Sequence, residues 1–79
     1  MKLNKRYRQM LEGAVDEMCG DIVDYDITDV NSADMNLSVS EVMEFMVPSE
    51  LRPRVKVFLL KRAKSFIESY NEVNALAEC

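Results

Sequence analysis

Seventy-nine residues, 48% hydrophobic and 30% charged with a formal net charge of −4, describe a folded acidic chain, not a disordered or low-complexity one. A chain this short has one modest core, which excludes a second domain and predicts a single helical domain over residues 1–79, with self-association as one way to supplement its stability. No apolar run approaches the roughly 20 residues that span a bilayer, and the basic start MKLNKRYRQM leads into no signal-peptide core, so a cytoplasmic protein without membrane contact is expected.

Leu3, Tyr7, Met10, Leu11, Ala14, Val15, Met18 and Ile22 recur at the spacing of three and four that lines one helix face. This predicts a first helix from about Leu3 to Cys19, ended by Gly20, which reaches positive φ at no side-chain penalty. Gly13 inside it costs up to about 1 kcal/mol relative to Ala. From Asp21 to Leu37 the periodicity is lost among Asp, Asn and Ser, which favour turns. A long acidic loop between helices 1 and 2 is therefore expected. Ser38 and Glu41 have capping-box spacing, which predicts that helix 2 starts there. Its inner face would be Val39, Val42, Met43, Met46 and Val47, and Pro48 would stop it.

Ser49 can cap a new turn, and Pro53 suits the first turn of a third helix. Val55, Leu59, Ala63, Phe66, Tyr70, Val73 and Ala77 then form one stripe, widened by Leu60 and Ile67, over a helix running to about Ala75. The expected fold is all-α, with three helices around one core. Cys19 and Cys79 lack CxxC spacing and a secretory signal, so they are expected as reduced thiols.

Charge is partitioned along the chain. Lys2, Lys5, Arg6 and Arg8 open it without an acid; residues 12–50 carry eleven acids and no base; Arg52, Arg54, Lys56, Lys61, Arg62 and Lys64 follow; and Glu68, Glu72 and Glu78 close it. Both long helices thus carry cations near the N-terminus, against the helix macrodipole. Antiparallel packing of helices 1 and 3 would compensate, setting each basic start beside the other helix's acids. The acids left over lie in the loop and helix 2. They form either a solvated face or an anionic surface for a basic site on another protein.

Other chemistries find little support. Asp24, Asp26 and Asp29 have the outline of a calcium loop, but no Gly stands at the sixth position and Met35 replaces the bidentate Glu, so no metal site is expected. The helix 3 cations are spread around the helix without interleaved aromatics, which argues against direct nucleic-acid contact. With no His, no phosphate loop and no nucleophile paired to a base, neither catalysis nor a cofactor is expected. Phe45 falls outside the apolar arc of helix 2, and Phe58 and Val57 fall off the helix 3 stripe. Each either packs under a loop or anchors a partner.

The segment EVMEFMVPSELRPRVKVF, Glu41 to Phe58, resembles part of the phage antirestriction proteins that mimic DNA, with an acidic helix ending in Val-Pro before another helix. DIVDYDITD upstream is similarly rich in Asp, whereas the six cations after Pro48 depart from that family's acidic character. The resemblance implies a phage or mobile-element accessory protein acting on a basic site.

The resulting expectation is a non-enzymatic interaction module, an inhibitor or adaptor, using residues 21–50 against a protein with a basic surface. Its contact residues would be Asp24, Asp26, Asp29, Asp34, Glu41, Glu44, Phe45 and Phe58. Alternatives are a small nucleic-acid-binding regulator working through helix 3 and a self-associating structural subunit, with homo-oligomerisation expected on the strength of the small core and the off-stripe side chains.

Overall fold

The first helix opens at Asn4, whose Oδ1 accepts the Arg6 N–H at 2.8 Å and satisfies one of the free donors of the first turn. In the computed structural model, which describes residues 4–78, this helix, α1, spans Lys5–Asp24. Leu3, the expected first residue, lies outside the described residues, as do Lys2 and Cys79.

Gly20 does not end α1. The helix runs through it, and no atom stands within 4 Å of the position a Cβ would occupy there. The stop comes at Asp26, whose φ of 50° is left-handed. Asp is one of the few side chains that tolerate this region. Two reversed hydrogen bonds close the end, Ile27 N–H to the Ile22 carbonyl at 2.9 Å and Asp26 N–H to the Val23 carbonyl at 3.3 Å. This is a Schellman stop with Asp in the usual glycine position, and its hydrophobic partners, Ile22 and Ile27, are both buried.

The long loop expected over residues 21–37 is thereby shortened from both sides, leaving about 8 residues between α1 and α2. Helix α2 spans Ala33–Met46, and its cap is Ser32, whose Oγ accepts the Met35 N–H at 3.2 Å. Ser38 is no cap; it is a buried residue in the second turn of α2. Val47 is extended, as a residue before proline should be, and Pro48 leads into a single 3-10 turn, Ser49–Leu51. Helix α3, Arg52–Ala77, carries Pro53 in its first turn. The Arg52 side chain turns back to donate to the Val47 carbonyl at 3.1 Å and the Glu44 carbonyl at 3.3 Å. It is a cation at the negative end of α2.

One cluster of buried side chains joins the helices: Ala14, Met18 and Ile22 from α1, Met35, Val39, Val42 and Met43 from α2, and Val55, Leu59, Ala63 and Ile67 from α3. The α3 stripe drifts from the expected course after Ala63. Ile67 is buried, Phe66 and Tyr70 are half-buried, and Val73 is exposed. Beyond Tyr70 there is little left to pack against, since α3 has 26 residues and α1 only 20.

Helix direction differs from expectation as well. A Cβ added at Gly13 would meet Met46 Cε at 3.2 Å, while Asp21 bonds Ser38, so α1 and α2 are antiparallel. Cys19 faces Phe66 across a cleft, and Asp26 and Thr28 bond Tyr70 and Asn71, so α1 and α3 run in the same direction. A connection of about 8 residues spans at most roughly 28 Å, too little to carry the chain back along a roughly 30 Å helix and also cross to a neighbour. The expected antiparallel pairing of basic starts with acidic ends is therefore not formed. Among the described residues, the carboxylates that find hydrogen-bond partners, Asp21, Asp26, Asp29 and Glu50, find hydroxyl or backbone N–H groups and no cation.

Gly20→Ala should stabilise the fold by up to about 1 kcal/mol, because it places a better helix former in open space inside a helix. Leu59→Ala, at a fully buried site, should cost about 2–5 kcal/mol, whereas Leu76→Ala should change stability by less than about 0.5 kcal/mol. Urea denaturation checks all three, and a loss of stability in Gly20→Ala would return the helix end to Gly20.

Candidate functional site

Two polar contacts organise the acidic side of the molecule. The first lies between α1 and α2, where Ser38 Oγ–H donates to Asp21 Oδ2 at 2.7 Å. Ser38 is 5% exposed and Asp21 half-buried, so the pair sits where the core meets the surface. Partnering satisfies a hydroxyl that would otherwise be costly to bury. Along the same seam lie two adjoining clefts that share Asp21 and Glu41, of about 270 Å³ toward Glu17, Phe45 and Met46 and about 220 Å³ toward Tyr25, Asp34 and Leu37.

The seam combines charge with uncovered apolar surface. Phe45 is 81% exposed, Tyr25 70% and Leu37 58%, so three large side chains border the carboxylates of Glu17, Asp21, Asp34 and Glu41. Helical spacing explains the alignment on α2, where residues 34, 37, 38, 41 and 45 recur every three or four positions on one face. Glu17 and Asp21 do the same on α1, and Tyr25, its C-cap, follows four residues later.

The second contact pins the α1–α2 connection to α3. The Tyr70 hydroxyl donates to Asp26 Oδ1 at 2.6 Å, and Asn71 Nδ2 donates to the Thr28 carbonyl at 3.1 Å. Asp29 Oδ1 accepts the Asn31 N–H at 2.9 Å, an Asx turn. Asp26 and Asp29 are thus engaged in shaping the connection.

Of the eight residues singled out from the sequence, Asp34, Glu41 and Phe45 come together on the seam. Asp24 is the last residue of α1, Asp26 and Asp29 belong to the connection, and Glu44 lies on α2 with its carbonyl bonded by Arg52. Phe58 is half-buried against the core with the Arg62 guanidinium 5.7 Å from its ring centroid, a cation–π contact. The sequence reading did not select Glu17, Asp21, Tyr25 or Leu37. Their i, i+4 spacing was available, but only a helix continuing through Gly20 puts Asp21 on α1 and Tyr25 at its end.

A different cleft, of about 370 Å³, lies between α2 and α3. Val30, Val57 and Leu60 supply its apolar surface, Asn31 and Asn36 border it, and Lys61 and Lys64 carry its charge. Cys19 is half-buried beside α3, and burial first, then the nearby Asp16, hold its thiol above the ordinary range, against the opposing effect of Arg62. That favours an inert thiol over a nucleophile. Among the described residues no group of three or more His, Cys, Asp or Glu could hold a metal ion, and no helix is long and apolar enough to cross a membrane. No protein family, curated protein or solved structure matches the chain.

The hydrogen bond to Asp26 is the main cause that raises the Tyr70 phenol above its ordinary value, with desolvation adding to it and Asn74 opposing it. The sign follows directly. Below the ordinary phenol range both the folded and unfolded chains hold the proton, and the bond contributes in full. As pH climbs past the unfolded value and through the raised folded one, phenolate faces carboxylate and the contribution disappears. Tyrosinate absorbance in an alkaline titration, differenced against Tyr70→Phe, should show Tyr70 ionising late, and Asp26→Asn should bring it back toward the ordinary value.

Proposed function

We propose that this chain is a non-enzymatic interaction module whose α1/α2 seam binds a basic site on another protein. The observation that carries this reading is Phe45, 81% exposed at the edge of a cleft whose other walls include Glu17, Asp21 and Glu41. An exposed aromatic costs solvation unless a partner covers it, and aromatics within a polar rim are where interfaces concentrate their binding energy. The flanking carboxylates would steer a cationic partner into register, setting the rate of encounter more than the lifetime of the complex. In its inhibitor form, the seam would occupy a surface that otherwise holds phosphates, the role that the resemblance of residues 41–58 to antirestriction proteins suggests.

A second reading draws support from helix direction. Parallel α1 and α3 bring Lys5, Arg6 and Arg8 to the same end of the molecule as Arg52, Arg54 and Lys56, where a phosphate backbone would find six cations. This end is also where α2 finishes with Glu44 and Glu50 nearby, which weakens the local potential and ranks the reading second.

Parallel capture with wild-type chain and with the Glu17→Lys/Glu41→Lys variant as baits separates the two. Proteins retained by the first and lost by the second are the expected result. For such a protein the double reversal should lower the on-rate about tenfold or more at low salt, and Phe45→Ala should raise the off-rate by an amount worth about 1–3 kcal/mol. A partner bound equally by both baits would reduce the acidic seam to a solvated face. A gel shift with mixed DNA and RNA that fades as salt rises would favour the second reading.

A further inference from the structure

We propose that the chain also recognises itself, head to tail, the acidic α1/α2 seam of one copy seating on the lysine-flanked α2/α3 cleft of the next. The inference rests on reading the seam as an interface and names a second copy as an occupant.

Complementarity is present on a single molecule. On the seam, Glu17 and Glu41 are exposed beside Phe45. On the cleft, Lys61 and Lys64 are exposed beside Val57, itself 56% exposed, with Val30 and Leu60 providing further apolar surface. One surface is therefore an aromatic knob among carboxylates, and the other is an apolar hollow of about 370 Å³ flanked by ammonium groups. Neither lysine is neutralised within its own cleft, since none of the residues lining it is acidic. Docking would cover exposed apolar atoms and bring opposite charges together in one step.

Like-with-like pairing meets an electrostatic cost. Seam against seam sets carboxylates on carboxylates, and cleft against cleft sets lysines on lysines, so charge selects the heterologous contact over the two-fold one.

The position of the two surfaces decides the kind of assembly. Phe45 and Asn36 belong to the same helix and are separated by about two and a half turns, which places them on opposite faces of α2. A copy that has docked its knob still presents its own cleft on the far side. Such a contact repeats in an open series and does not close at two copies unless the rotation per step happens to close a ring.

Sedimentation equilibrium at low salt, from low micromolar to millimolar chain, tests this. Weight-average mass should climb past the dimer without a plateau, and high salt should suppress it. Phe45→Ala should raise the concentration needed for half-association about tenfold or more. The Glu17→Lys/Glu41→Lys and Lys61→Glu/Lys64→Glu variants should each remain monomeric alone, because the first has lost the net negative charge of its seam and the second sets acidic seam against acidic cleft. Mixed in equal amounts, they should associate again, since the unaltered acidic seam of the second variant meets the unaltered lysine-flanked cleft of the first. All substituted side chains are exposed, and circular dichroism checks that the helices persist. A monomer mass throughout, a plateau at the dimer, or a mixture of the two variants no more associated than either alone would overturn the proposal. If the chain stays monomeric while a captured basic protein still binds in a manner that depends on Glu17 and Glu41, self-recognition fails and the interaction reading stands. Association that persists while no such protein depends on those residues supports self-recognition alone.

Discussion

The lengths of two connections constrain everything else in this molecule. About 8 residues separate α1 from α2, and Val47, Pro48 and one 3-10 turn separate α2 from α3. Neither can do more than reverse the chain, so the helices run up, down and up. Helix α2 contacts both neighbours and contributes Met35, Val39, Val42 and Met43 to the shared core. With α1 and α3 parallel, the cations at their starts gather at one end and cannot lie beside Glu68 and Glu72, which fall toward the other. Among the described residues no carboxylate accepts a hydrogen bond from a cation, and Arg52 instead meets the carbonyl end of α2.

That incomplete compensation gives the surface its character. Each unfavourably placed charge costs only tenths of a kcal/mol in water, so a small core tolerates several of them. The hydrogen bond from Ser38 to Asp21 marks how far the acidity reaches inward. One face of α2 meets the α1 carboxylates over this bond, and the opposite face borders the lysines of α3. A single 14-residue helix therefore separates an anionic surface from a cationic one. Both the proposed partner site and the proposed self-contact follow from that separation.

Much of this was legible in the residues. Apolar spacing located three helices, Pro48 and Pro53 fixed the boundary between the last two, and Phe45 stood off the apolar arc of α2, its choice between packing under a loop and facing solvent left to the structure, which exposes it. The failures were local and had consequences. Gly20 looked like a stop signal, yet a glycine in open space does not prevent a helix from continuing when Ile22 and Ile27 can be buried one turn later. Asp26 did the work usually assigned to glycine, and its left-handed backbone leaves only a weak mark in sequence. Ser38 has capping-box spacing to Glu41, yet Ser32 holds the cap, and Ser38 is buried in the second turn, bonded to Asp21. These errors together stretched an 8-residue connection into a 17-residue loop. A loop of that length could have carried the chain back along α1, which is why the relative direction of α1 and α3 was misjudged. Asp21 and Tyr25 escaped notice for the same reason, because a residue assigned to a loop has no helical face.

The direction of α1 relative to α3 is the claim on which the charge separation rests, and pulsed electron–electron distance measurements test it most directly. With Cys19 and Cys79 replaced by Ser, spin labels at Arg8→Cys and Lys56→Cys are compared with labels at Arg8→Cys and Leu76→Cys. Parallel helices place positions 8 and 56 near one end, so the second distance should be longer by roughly 20 Å, given about 30 Å of helix between positions 56 and 76. A shorter distance from position 8 to position 76 than to position 56 would contradict the account.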